Sequence, residues 1–111
     1  EAYKAADELA KDGIECEIID LRTVRPMDTD MIIESVKKTN RLVILEEAWP
    51  FGNVATEITF QVQSQAFDYL DAPIIKINTA DTPAPFSAPL MDEWLPNSQD
   101  VIEAVKEVLY L

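Results

Sequence analysis

No histidine occurs among the 111 residues. That excludes imidazole as a base, proton shuttle or metal ligand, and with it every triad built on a Ser-His or Cys-His pair. Only two glycines are present. A phosphate-cradling loop or a dinucleotide fingerprint needs several at close spacing, so neither can exist here. The single cysteine, Cys16, rules out an internal disulfide and any Cys-x-x-Cys metal site. It lies in phase with Ile14 and Ile18, as a core thiol would, and a reducing compartment is the default expectation. No apolar run approaches the ~20 residues of a membrane-spanning helix. Basic residues are scarce, 9 against 21 acidic ones, for a net charge of -12. Such a surface repels nucleic acid and anionic membranes; it serves solubility, or it draws a basic protein partner.

What is present is a globular composition, 48% hydrophobic, organised around Arg41–Val54. Leu42-Val43-Ile44-Leu45 reads as a short strand buried on both faces of a parallel sheet. Glu46 and Glu47 follow, then a turn through Ala48-Trp49-Pro50-Phe51-Gly52-Asn53. A helix starts at about Val54, with Val54, Ile58, Val62 and Ala66 at i+4 spacing. It ends in Phe67-Asp68-Tyr69-Leu70-Asp71-Ala72-Pro73, because the residue before proline is pushed out of helical geometry.

Upstream, Ala2, Ala5, Ala6, Leu9 and Ala10 place a helix over Glu1–Lys11, with Gly13 as its stop. Ile14–Leu21 is expected to be a strand. A second helix is capped by Asp28, with Met27 and Ile32 at the staple positions. Its stripe is Ile32, Ile33 and Val36, and Asn40 closes it. Downstream, Ile74–Ile77 is a further strand. The proline-rich stretch Thr82–Pro89 is a stiff arm lying on its own domain, anchored by Trp94 and Leu95, or else a polyproline ligand. The last helix is capped by Asn97 or Ser98 and buries Val101, Ile102, Val105, Val108 and Leu109.

The order α-β-α-β-α-β-arm-α predicts one α/β domain over residues 1–111: a mostly parallel sheet, helices on both faces, right-handed crossovers. The sequence begins inside a helix with neither cap nor initiator methionine. It therefore reads as a fragment of a longer polypeptide whose first strand, central in many doubly wound folds, is missing.

Four groups are candidates for chemistry. Glu46 and Glu47 sit where α/β sheets bind ligands, but adjacent strand residues diverge, so capping is expected of them rather than paired acid/base work. Arg22 and Arg25 could clamp an anion; pairing with Asp20, Asp28 or Asp30 is the expectation. Met27 and Met31 are expected in the core. Trp49 and Phe51 are core or interface. With no nucleophile beside a base, the residues alone point to an acidic α/β interaction or structural module. A flavodoxin-like module holding a small ligand near Arg22 and Glu46 is one alternative. A hydrolase using Glu46 or Glu47 is another.

DLRTVRPMDTDMIIESVKKTNRLVILEEAWPFGNVATEI, FDYLDAP and ADTPAPFSAPL together resemble the C-terminal domain of transketolase-like thiamine diphosphate enzymes. D-L-R-T-x-R-P-x-D is shared across that family. E-E-A-W-P, Y-L-D-A-P and D-T-P-A-P-F are narrower and are similar to the beta subunits of pyruvate dehydrogenase, with branched-chain 2-oxoacid dehydrogenase the alternative. The resemblance implies a parent enzyme that decarboxylates pyruvate oxidatively and acetylates lipoyl groups. Its thiamine diphosphate and Mg are held outside the present residues, which carry no catalytic, cofactor or metal site of their own. It implies alpha and beta subunits in a heterotetramer, and a dihydrolipoyl acetyltransferase core docked through a basic subunit-binding domain. It implies no nucleic acid and no membrane, and a bacterial cytoplasm or mitochondrial matrix. Two positions carry over as partner-binding: Asp71, from L-D-A-P, and Leu111, through the terminal carboxylate.

Overall fold

The computed structural model describes residues 1–111. In chain order it forms α1 (Ala2–Lys11), α2 (Thr29–Thr39), β1 (Val43–Leu45), α3 (Val54–Ala66), β2 (Ile75–Ile77), α4 (Ala88–Trp94) and α5 (Ser98–Val108). A 3-10 turn over Phe67–Tyr69 follows α3. The strands pair in parallel, Val43 opposite Ile75 and Leu45 opposite Ile77, with α3 in the crossover between them.

Alternation along β1 builds two half-cores. Ile44 packs with Ile32, Ile33 and Val36 of α2 and with Ala55, Ile58, Val62 and Ala66 of α3. Val43 and Leu45 point the other way, with Ile75 and Ile77, onto Ala5 of α1 and Val101 and Ala104 of α5. The result is the expected three-layer arrangement, with α1 and α5 on one face of the sheet and α2 and α3 on the other. Leu9, Val36 and Val62 are fully buried, and each such side chain contributes about 1.5–3 kcal/mol of transfer free energy. Lys76 is the strand position turned towards α3. Its ammonium donates to the Pro50 carbonyl at 2.7 Å and the Thr56 hydroxyl at 3.3 Å, which pins the turn leading into α3.

The helix ends follow the sequence closely. At Gly13 (φ 78°) the chain turns left-handed; the Gly13 and Ile14 N–H groups donate back to Ala10 and Leu9, a Schellman closure. The Asp28 carboxylate accepts from the Met31 N–H. Asn40 (φ 65°) ends α2. Of the two candidates for the cap of α5, Asn97 is the one used, in a reciprocal capping box with Asp100.

Four expectations are corrected. Ile14–Leu21 is extended, and Ile14, Cys16 and Ile18 are half-buried while Glu15 and Glu17 are exposed, yet it is not a strand. No backbone–backbone hydrogen bond reaches Glu15–Asp20. A strand needs a neighbour, and here a cavity of about 580 Å³ lies between this segment and β1. The proline-rich stretch is not all arm, since its end opens α4, with Pro89 in the first turn, where the N–H that proline lacks has no intrahelical partner to lose. Met31 is exposed, at 52%, although Met27 does pack on the α2–α3 cluster. Ala10 belongs to the solvent side of α1.

Candidate functional site

The carboxyl end of β1 is where a ligand is first sought, and its polar groups are already committed. Glu46 Oε2 accepts from the Ala55 N–H at the start of α3, at 3.0 Å. Its other oxygen accepts from the Asn78 amide, at 2.7 Å. The carboxylate thus ties β1, α3 and the end of β2 together, at the positive end of a helix where a negative charge is favoured. Glu47 points to solvent, so the two carboxylates diverge as expected and form no acid/base pair. Arg22, left-handed at φ 55°, pairs with Asp20 at 3.6 Å, both highly exposed. Arg25 forms no ion pair. The pairing expected of Arg22 is therefore made and that expected of Arg25 is not.

Asp71 and the chain's carboxyl end do meet. The Asp71 N–H donates to the Asn40 carbonyl at 2.9 Å, and the Asn40 amide donates to the Tyr69 carbonyl at 2.9 Å. The left-handed end of α2 therefore holds the segment after α3. From the other side, the Tyr110 hydroxyl donates to the Asp71 carbonyl at 3.2 Å. Tyr110 is itself left-handed, at φ 61°. Its N–H reaches Glu107 and the Leu111 N–H reaches Lys106, so α5 closes in a Schellman motif with tyrosine where glycine is usual. Arg41 spans the junction. Its Nε donates to the Val108 carbonyl at 2.8 Å, and one terminal nitrogen lies 3.8 Å from an Asp71 carboxylate oxygen.

That separation is an ion pair without a close hydrogen bond, so the carboxylate keeps acceptor capacity for another cation. Its side chain is 58% exposed, Leu111 is 78% exposed, and Phe67, Tyr69 and Tyr110 stand out of the same region. The Lys37 ammonium sits 5.4 Å from the centre of the Tyr69 ring, which shows that this aromatic face already takes a cation. Sequence reasoning missed Arg41 and Tyr110 as parts of this surface. Neither lies in a pattern that period or spacing exposes.

A second exposed aromatic group surrounds the arm. Trp49 is half-exposed and Phe51 is 90% exposed, so neither is core. The indole N–H groups of Trp49 and Trp94 both donate to the Thr82 carbonyl, at 2.8 and 2.9 Å. The arm is thus clamped to its own domain, with Trp94 the anchor expected for it. No three His, Cys, Asp or Glu side chains are grouped to hold a metal ion. The large cavity is lined by 18 hydrophobic residues out of 24, a poor host for a diphosphate. No helix is long and apolar enough to cross a membrane.

Comparison with known proteins agrees with this architecture. Residues 1–101 match the family described as Transketolase, C-terminal domain. The chain is 57% identical over 109 residues to a Rickettsia felis protein named pyruvate dehydrogenase E1 component subunit beta, an alignment covering 98% of this chain and 33% of that protein. It is 47% identical over 107 residues to the mitochondrial protein of that name from Mus musculus, covering 96% and 30%. It is 44% identical over 109 residues to the Bacillus subtilis one, covering 98% and 33%. The chain spans about a third of the length of these curated relatives. A parallel sheet between two helix layers, the match to residues 1–101 and the alignment of nearly all of this chain with part of these beta subunits lead to one conclusion: the chain belongs to the transketolase C-terminal domain family.

Proposed function

We propose that residues 1–111 are the C-terminal assembly domain of a pyruvate dehydrogenase beta subunit. The parent enzyme would decarboxylate pyruvate oxidatively and pass the acetyl group to lipoyl. The observation that carries the docking part is the meeting of Asp71 with the chain's carboxyl end on one exposed, aromatic-rich surface. On this reading the domain contacts an alpha subunit and a second beta subunit. It presents Asp71 and Leu111 to the basic subunit-binding domain of a dihydrolipoyl acetyltransferase. A surface of net charge -12 supports fast capture of such a partner. A two-fold axis between beta subunits would present each acidic group twice.

Thiamine diphosphate and Mg belong, on this reading, to the remainder of the subunit and its partner. The residues here do not fit them: they offer no grouped metal donors, no glycine cradle, and a cavity with mostly hydrophobic walls. The bacterial and mitochondrial origins of the relatives support a cytoplasmic or matrix location.

The test is titration calorimetry of the chain against the isolated subunit-binding domain at several salt concentrations. Asp71→Ala removes a charge from the centre of the proposed contact and leaves Arg41 uncompensated. A loss of about 2 kcal/mol, roughly thirtyfold in Kd, is expected, with a shallower salt dependence. Unchanged affinity and an unchanged salt slope would remove Asp71 from the interface.

A further inference from the structure

We infer that the Tyr69 ring and the Asp71 carboxylate form a two-point seat for one arginine of a basic protein partner, and that Lys37 holds the ring half of that seat in the free chain.

The backbone places the two side chains together. Leu70, between them, is extended at φ -78° and ψ 127°, and it packs inward against the α2–α3 cluster. Alternation about an extended residue sends its two neighbours to the same, outer side. Tyr69 is 44% exposed and the Asp71 side chain 58%, as that placement requires. Two residues of extended chain separate them by about 6–7 Å, a span that one long side chain covers. The segment beneath is fixed, because the Asn40 amide holds the Tyr69 carbonyl and the Asn40 carbonyl takes the Asp71 N–H.

Each half of the seat already has a cation of this chain, and each cation is held loosely. The Lys37 ammonium lies 5.4 Å from the ring centre, and its ion pair with Glu34 is long, at 3.9 Å. Arg41 comes no closer than 3.8 Å to the Asp71 carboxylate and is bound more tightly to the Val108 carbonyl. These resident groups show what the surface takes: one cation on the ring and one on the carboxylate. A single arginine can serve both at once. Its planar guanidinium stacks on an aromatic face while its edge N–H groups donate to a carboxylate. A lysine ammonium is a point charge without a flat face and has to favour one of the two. A second copy of this chain is a poor occupant, since it carries the same net charge of -12 and like charges repel. The seat rests on the reading that docking occurs at Asp71. It adds a second contact, a choice of arginine over lysine, and a resident lysine that must give way.

Titration calorimetry of the chain against the isolated subunit-binding domain tests the seat, with each variant's urea midpoint confirming that it is folded. Tyr69→Leu should weaken binding about fivefold or more, while Tyr69→Phe, which keeps the ring face, should stay within about twofold. Lys37→Met should tighten binding about threefold more than Lys38→Met does. Lys38 pairs with Glu17 and gives the same change of charge, so the excess reads competition for the ring. That excess should vanish in a Tyr69→Leu background. Arginines of the partner replaced singly by lysine should include one whose loss weakens binding to the wild-type chain and not to Tyr69→Leu. If Asp71→Ala weakens binding but Tyr69→Leu does not, the seat is overturned and docking at Asp71 stands. If neither weakens it, both are overturned. Equal effects of Lys37→Met and Lys38→Met would overturn the role given to Lys37, and an equal loss on Tyr69→Leu for every arginine replaced would overturn the choice of arginine.

Discussion

Glu46→Ala is the substitution whose cost the structure fixes most directly. The side chain is half-buried and both oxygens are used, one by the Ala55 N–H and one by the Asn78 amide. Hydrogen bonds to a charged acceptor contribute about 1.5–3 kcal/mol each in favourable settings. The negative charge at the start of α3 adds about 0.3–1 kcal/mol. Partial solvent access brings the sum towards the low end, so a loss of about 2–3 kcal/mol is expected, since water can re-solvate part of what the alanine strands. For a domain of this size that corresponds to a fall in Tm of about 8–15 °C. Glu46→Gln keeps the shape but turns an amide NH2 towards one of the two donors, and should cost about half as much. Glu47→Ala, at an exposed neighbour without hydrogen bonds, should stay within about 0.5 kcal/mol.

The assay is urea unfolding followed by circular dichroism, comparing midpoints at a common slope. The three variants separate a structural tie from mere acidity, because Glu46→Ala and Glu47→Ala change the net charge equally. If the two alanine variants lost the same stability, the loss would come from charge and not from the bridge. If Glu46→Ala lost less than about 0.5 kcal/mol, the tie between β1, α3 and Asn78 would contribute nothing measurable.

Two further outcomes follow from the same geometry. Asn40→Gly keeps the left-handed turn but loses the bond to the Tyr69 carbonyl, and should cost about 1 kcal/mol in urea unfolding; Asn40→Ala should cost about 1–2 kcal/mol more, because a Cβ disfavours positive φ. Burial holds the Cys16 thiol above its ordinary value, with the Glu15 charge adding to it. The stability this provides is complete below the free-thiol value of about 8.5 and is lost as pH rises through the higher folded value. Wild type should therefore lose more urea resistance than Cys16→Ala over that alkaline window; parallel pH profiles would show that the thiolate is not disfavoured by the fold.

The elements legible in the sequence are those whose signals are local. Gly13, Asp28, Asn40 and Asn97 end or start helices through their own backbone or side-chain chemistry, and the structure uses all four. The apolar stripes of α2 and α3 are likewise properties of single segments. Ile14–Leu21 shows the limit. Its alternation is that of a strand and its burial alternates as a strand's would, but pairing is a property of two segments, and no backbone partner lies beside it in the structure. α4 escaped because three prolines in Thr82–Pro89 suggest an arm, while proline is equally at home in a first helical turn. Of the surface proposed for docking, only Asp71 and Leu111 were legible, and then by resemblance. Arg41 and Tyr110 join it through contacts 30 and 39 residues from Asp71 in sequence.

That long-range construction bears on how the surface would work. Arg41 has two acceptors, the Val108 carbonyl held by Nε at 2.8 Å and the Asp71 carboxylate at the looser 3.8 Å. An incoming basic side chain that takes the Asp71 oxygens competes only with the weaker contact. The hydrogen bond that covers a carbonyl at the end of α5 stays in place, as do the bond from the Asp71 N–H to the Asn40 carbonyl and the bond from the Tyr110 hydroxyl to the Asp71 carbonyl. Docking therefore need not loosen the fold, and the carboxylate is presented on a backbone already fixed at both its N–H and its carbonyl. Pre-organisation of that kind lowers the ordering cost of association. It also separates two roles that a simpler ion pair would merge: Arg41 can keep the carboxyl end of α5 against the segment after α3 while Asp71 changes partner.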